Sequence, residues 1–379
     1  MANRAYKFRL LPTSAQESFF QQNFGCSRFI WNKMLSDKIA YYEKTKTTLK
    51  NTPAQYKTEF PWLREVDSWA LCNVQMNLGQ AFRNFFTQKK VGFPKYKSKH
   101  KSRKSYTTNY LAIIDNYIKL PKIGLVKMIK HREVVGKIKS ATISQDLDGK
   151  YFVSILVEYE HNPTPAKPQS AIGLDYSSKS LFVDNLGFSA NYPRYFRESE
   201  AKLAKAQRIL SKRTKGGRNR NRQRIVVARL HRKIANQRKN FLHNLSTAIA
   251  KQYDIVCIED LNMQAMSQSL KLGKSTNDNG WGMFISFLAY KLADRGKYLV
   301  KIDKWFPSSK TCSHCGKIKD NLSLSERSYH CEYCGLEIDR DQNAAINILR
   351  EGLNRSNYGD RVLKNLALVG CSYQAPCFS

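Results

Sequence analysis

Residues 5 to 10 alternate apolar and polar side chains, a period of two that predicts a half-buried strand closed by Pro12 and Thr13. The period then lengthens. Phe20, Phe24, Trp31, Leu35 and Ile39 recur at helical spacing, as do Leu71, Val74, Leu78, Phe82 and Phe85 behind Asp67, a capping residue. Past residue 91 the pattern returns to short strands. These end in a hairpin from Ala141 to Leu147 and Tyr151 to Tyr159, turned by Asp148-Gly149. The first strand is expected to join these later ones, which makes the helices an insertion.

A Pro-rich stretch from His161 marks a boundary. Beyond it, Ala171–Tyr176 and Ser180–Val183 read as strands, and Asn185-Leu186-Gly187 as a turn before a third. One long helical region is expected over 197–252, then a buried strand at Ile255–Ile258. A helix at Trp281–Asp294, a strand at Tyr298–Ile302 and a helix from about Asn343 complete the series. Three strands, helix, strand, helix, strand, helix is the order of a ribonuclease-H-like fold, so the expected class is multidomain α/β.

Composition sharpens this. The 379 residues exceed one comfortable core, and the formal net charge is +34. No apolar run approaches the roughly 20 residues that span a bilayer, and the start lacks a signal peptide's apolar stretch. Nucleic acid is the expected partner, with no membrane, and the cytoplasm, at the nucleoid, the expected compartment. Six of the basic residues, Lys95 to Lys104, crowd a segment with almost no acid. The stretch Lys202–Lys239 holds 15 Lys and Arg and no Asp or Glu. There Arg213, Arg218, Arg220, Arg222 and Arg224 surround Gly216-Gly217 and are expected to grip phosphates, without reading sequence.

Two Cys-x-x-Cys-Gly pairs, Cys312/Cys315 and Cys331/Cys334, are separated by 15 residues. This spacing is a four-thiolate signature for one structural zinc, because four protein ligands leave no open position. His314 and His330 are spare neighbours. Asp175 and Glu259 each end an apolar strand, where a charge is costly unless paired or coordinating. In the expected order those strands are sheet neighbours. With Asp341 at the start of the last helix, the three acids form a candidate catalytic set for two Mg²⁺ or Mn²⁺ ions, suited to phosphodiester hydrolysis. Asp339 competes with Asp341 and is placed in the approach loop. Asp184, Asp254 and Asp260 read as ordinary surface acids.

The ordered set Gly-Leu-Asp175, Ile-Glu259-Asp-Leu, Phe306-Pro-Ser-Ser-Lys-Thr-Cys-Ser-His-Cys-Gly, the second Cys pair and Asp-Arg-Asp341-Gln-Asn-Ala-Ala resembles the TnpB family. Members are RNA-guided DNA endonucleases encoded by insertion sequences and related to type V CRISPR effectors. The resemblance covers almost the whole chain. It departs at Asp175-Tyr-Ser-Ser, where many relatives have Asp-x-Gly. It implies a RuvC nuclease domain with Asp175, Glu259 and Asp341 as its acidic triad. It also implies a transposon-end guide RNA, a double-stranded target beside a short motif, and a monomeric ribonucleoprotein. The reading of that motif would fall to Ser68, Trp69 and Cys72 with Thr107, Thr108 and Asn109.

The expected organisation is then a β-barrel-like wedge domain over 1–13 and 91–160, with a helical recognition insertion over 14–90. A linker over 161–170 leads to the nuclease domain over 171–306 and 337–354. A zinc element over 307–336 interrupts that domain, and 355–379 forms a tail disordered without RNA. Ser267 to Gly280 reads as a lid after Glu259. A carboxylate-triad transposase joining strands without a guide, and a non-catalytic zinc-containing regulator, are the competing readings.

Overall fold

A computed structural model describes residues 1–263, 265–266, 278–323 and 326–356. The chain divides into two compact units, Met1–His161 and Asn162–Ser379.

In the first unit, β1 (Ala2–Leu11) lies between β7 (Tyr151–Tyr159) and β5 (Gly124–Ile129), antiparallel to both. The alternation seen in the sequence decides which face is buried: Tyr6, Phe8 and Leu10 point into the core with Val153, Ile155 and Val157. β2 (Lys104–Thr108), β3 (Ala112–Ile114), β4 (Tyr117–Leu120) and β6 (Lys137–Gln145) complete the order β2-β6-β7-β1-β5-β4-β3. A barrel-like closure was the expectation. The edge strands β2 and β3 do not pair, and β3 has only three residues, so hydrogen bonding leaves the sheet open.

Thr13 and Gln16 form a reciprocal capping box that starts α1 (Ser14–Thr45). α2 (Tyr56–Glu59) is one turn. Asp67 caps α3 (Ser68–Thr87) by accepting from Trp69 N at 2.9 Å. The helices share a second core of Ile30, Met34, Leu35, Leu63, Leu71 and Leu78.

In the second unit, β10 (Ile255–Glu259) is parallel to β8 (Ala171–Ser177) and to β11 (Tyr298–Ile302). β9 (Leu181–Asp184) is antiparallel to β8, giving the order β11-β10-β8-β9. The expected third strand is reduced to one bridge, Val183 to Ser189. Asp184 is the cause: its Oδ1 takes the amides of Leu186 and Phe188, both at 2.9 Å, and folds the backbone into a turn. The expected single helical region is two helices, α4 (Tyr195–Lys212) and α5 (Arg218–Gln252). The break falls at Gly216, whose φ of 87° a helix cannot hold. α6 (Trp281–Ala293) follows. A two-stranded ribbon, β12 (Ser328–His330) and β13 (Glu337–Asp339), then leads into α7 (Arg340–Arg355), which starts three residues before the expected position. No helix among the described residues is long and apolar enough to cross a membrane. Most of the expected lid, and the tail beyond Ser356, lie outside the described residues.

Candidate functional site

The sheet register brings two of the acids together. Leu174 of β8 pairs with Ile258 of β10, so the next residues along, Asp175 and Glu259, are neighbours at the same end. The third comes from the helix above. A Cβ on Gly173 would stand 2.3 Å from Ala345 O, so only glycine lets α7 lie this close to β8. Ala345 and Asp341 share a helix face, one turn apart, and this carries Asp341 over the strand's end beside Asp175. Asp339 is otherwise engaged: it caps α7, accepting from Asp341 N and Gln342 N at 2.9 and 3.0 Å.

Asp175 lies within electrostatic reach of both Glu259 and Asp341. Asp175 is pushed well above the ordinary carboxylate range, first by burial, then by the charges of Glu259 and Asp341. Arg340 opposes this. Glu259 is raised by burial, against the Ser308 hydroxyl that donates to its Oε1. Asp341 is raised by burial and by Asp339, and Arg327, Arg340 and Lys179 pull it back. No ion pair among the described residues uses any of the three. These half-buried carboxylate oxygens are hard donors of the kind Mg²⁺ or Mn²⁺ takes, whereas among the described residues only the four cysteines place their ligand atoms within 4.8 Å of one another.

The thiolates fit a different ion. All four sulfurs lie within 4.8 Å of one another, and Cys312–Cys334 and Cys315–Cys331 are each 3.6 Å apart. A tetrahedral zinc with Zn–S of about 2.3 Å requires about 3.8 Å between sulfurs. Gly316 and Gly335, at φ of 75° and 71°, turn the two knuckles back so that their amides meet Cys312 O and Cys331 O. His314 and His330 are outside the cluster.

The other candidates separate. Arg218, Arg222 and Arg224 are exposed on α5. Arg220 is not free for phosphate: its Nη1 donates to Leu210 O at 2.6 Å and Arg213 O at 2.8 Å, closing the end of α4. Arg213 donates to Asn219 O at 2.5 Å. Trp69, Cys72 and Asn109 are exposed, and Ser68 accepts from Lys57 Nζ. Thr107 bonds Thr142 across the sheet, and Thr108 is fully buried. Sequence reading passed over Asn73, whose amide bonds Thr107 O at 3.1 Å and Asn109 Oδ1 at 2.6 Å. Its place one helical turn after Trp69 was the available signal. Two of the three presumed surface acids are not ordinary exposed ones. Asp184 is buried in its own turn. Asp254 is half-buried and, although burial raises its carboxyl, bonds from Gln169 N, Lys297 and Ser170 hold it below the usual range. Asp260 is exposed and pairs with Lys301.

Comparison with known proteins adds an independent line. A family described as a probable transposase matches residues 154–270, and a Cas12f1-like TNB domain matches 281–348. A family described as a helix-turn-helix domain matches residues 1–47, which here form a strand and one uninterrupted helix. A Streptomyces pristinaespiralis protein with "RNA-guided DNA endonuclease" in its name is 37% identical, covering 95% of this chain and 92% of its own. The Escherichia coli (strain K12) protein InsQ, named with the same words, is 31% identical over 92% of each chain. A cryo-EM structure of a Cas12f1–sgRNA–target DNA complex aligns with TM-score 0.56 at 16% identity, covering 89% of this chain and 83% of that one. That likeness is one of fold.

Proposed function

The chain belongs to the TnpB family, and on that premise we propose that it is an insertion-sequence-encoded, RNA-guided endonuclease that cuts double-stranded DNA. A guide RNA pairs with the target strand beside a short motif, and the protein acts as a monomeric ribonucleoprotein in the cytoplasm, at the nucleoid. The observation that carries the reading is the convergence of three carboxylates, two set side by side by the register of β8 and β10 and the third brought in by the close approach of α7 to Gly173. The strand order of the second unit agrees with a ribonuclease-H-like RuvC domain, and the first unit is assigned to wedge and recognition roles.

Asp175, Glu259 and Asp341 would hold two Mg²⁺ or Mn²⁺ ions, which when bound activate a water and neutralise the leaving oxygen of the phosphodiester. Glu259 is kept in one orientation by the Ser308 hydroxyl. Lys179, Arg327 and Arg340 set positive charge beside Asp341, where a phosphate must approach an acidic centre. Arg218, Arg222 and Arg224 hold nucleic-acid backbone, and Trp69 with Asn109 face the target-adjacent duplex. One zinc at Cys312, Cys315, Cys331 and Cys334 stabilises the element preceding α7.

The test is a purified ribonucleoprotein carrying transposon-end RNA, incubated with a plasmid matching the guide. Asp175→Ala should abolish cutting with RNA binding intact. Cleavage without RNA, or full activity in Asp175→Ala, would refute the proposal. The match to a transposase family sustains one rival, which guide-independent joining of element ends would favour.

A further inference from the structure

Between Glu259 and the thiolates runs a set of buried and part-buried hydrogen bonds, of which the chemistry above uses only the one from Ser308 to Glu259. The loop over 307–313 leaves β11 and enters the first knuckle, and three side chains of α7 grip it. Asn347 Nδ2 donates to Ser308 O at 2.8 Å and to Thr311 O at 2.6 Å. Asn343 donates to Thr311 O at 2.8 Å and accepts from Ser313 N at 2.9 Å. Arg350 donates to Ser313 O. Thr311 and Ser313 flank the zinc ligand Cys312. From the same loop, the Ser308 hydroxyl reaches Glu259.

Positions 343, 347 and 350 lie on one face of α7, whose first turn carries Asp341. Asn343 and Cys312 are fully buried, and Ser308, Ser313 and Asn347 are nearly so. A core meant only to be stable would fill such a space with apolar side chains. A largely buried polar network, with each of these partners met, instead fixes the registry of the pieces it joins. The pieces are the helix of the third acid, the strand-end second acid and the first thiolate. A knuckle that loosens takes the backbone of Thr311 and Ser313 with it, and so displaces Ser308 and α7 together.

We infer that Ser308, Asn343 and Asn347 are positioning residues that couple the two metal centres: zinc at the cysteines raises the affinity of the carboxylates for a divalent cation, and by linkage the reverse holds. This rests on the carboxylate reading above.

The test uses full-length, RNA-free protein titrated with Mn²⁺. Free ion is followed by electron paramagnetic resonance, and zinc content by atomic absorption. The carboxylate sites are the Mn²⁺ sites lost in Asp175→Ala. Ser308→Ala and Asn347→Ala should retain zinc yet bind Mn²⁺ about tenfold more weakly. Ser308→Thr, which keeps the hydroxyl, should recover most of that loss. Zinc-depleted Cys315→Ser should show a comparable weakening, and combining it with Ser308→Ala should add less than the sum of the two. Mn²⁺ affinity within twofold of the parent in Ser308→Ala and Cys315→Ser would overturn the coupling. Should Cys315→Ser fail to fold, Asn347→Ala, which touches neither carboxylate nor thiolate, decides in its place: Mn²⁺ affinity within twofold of the parent overturns the coupling. A parent with no Mn²⁺ site dependent on Asp175 would overturn the carboxylate reading itself, and the coupling with it.

Discussion

Gly173→Ala tests whether the contact between β8 and α7 sets the geometry of the acids. The added Cβ would meet Ala345 O at 2.3 Å, Leu349 Cβ at 2.8 Å and Leu349 N at 2.9 Å. Carbon contacts relax near 3.5 Å, so α7 must withdraw by about 1 Å. Two effects oppose each other. Alanine in a strand is favoured over glycine by about 0.5–1 kcal/mol through the unfolded chain. Overpacking against a helix backbone, which cannot rotate away as a side chain can, costs about 1–3 kcal/mol. The clash wins. At about 2–4 °C per kcal/mol for a unit of this size, Tm should fall by up to about 10 °C. A 1 Å displacement of Asp341 from Asp175 should slow cleavage by about 10²-fold at temperatures where the variant is fully folded. Thermal melts and single-turnover cleavage on one preparation separate the two effects. A variant with the parent's Tm and rate refutes the close approach. A lowered Tm with the parent's rate refutes the claim that α7 sets the site.

Arg220→Ala should lower Tm, because it removes two bonds to the end of α4. Arg222→Ala should leave Tm unchanged but weaken RNA binding and reduce the log–log salt slope by about one; equal slopes in the two variants would contradict this division. Lys291 donates to His243 O, Ser246 Oγ and Thr247 Oγ1, and burial, then Arg295, lowers its ammonium to about 8. The unfolded chain keeps that proton to about 10.4, so between those values it binds more protons than the native state and stability rises with pH. Urea melts should therefore show the parent gaining on Lys291→Met from pH 8 to pH 10, and a flat difference would exclude the effect. Alkylation read by peptide mass spectrometry should mark Cys72 in native protein. Cys26 and Cys257, whose thiols burial pushes up to about 11 and about 12, should react only in denaturant; native labelling of Cys257 would contradict its burial under α7.

What could be read from the sequence was local or rigidly spaced. The alternation before Pro12, the cap at Asp67 and the paired Cys-x-x-Cys-Gly turns each specify structure over a few residues. Asp175 and Glu259 were legible as strand-end neighbours because a charge ending an apolar strand is conspicuous, whereas Asp341, in a helix's first turn, has no such mark. What escaped depends on partners elsewhere. Arg220 looks like its exposed neighbours Arg218 and Arg222, and only the turn back to Leu210 and Arg213 shows that its guanidinium is occupied. Thr108 reads as a polar contact residue until β2 is paired with β6 and its side chain faces inward. Asp184 was placed on the surface because an Asx turn that buries its own carboxylate leaves no mark in periodicity. Sheet closure in the first unit turned on whether two edge strands meet, which no local pattern encodes.

The cysteine knuckles come before α7 in the chain, and Asp341 comes after both. A polypeptide still being synthesised therefore exposes the thiolates first and possesses Asp175 and Glu259 without their partner. On the proposed reading, the third acid of the cutting centre arrives only after the four cysteines, and a product stopped short of α7 would carry Arg218, Arg222 and Arg224 with an incomplete acidic set.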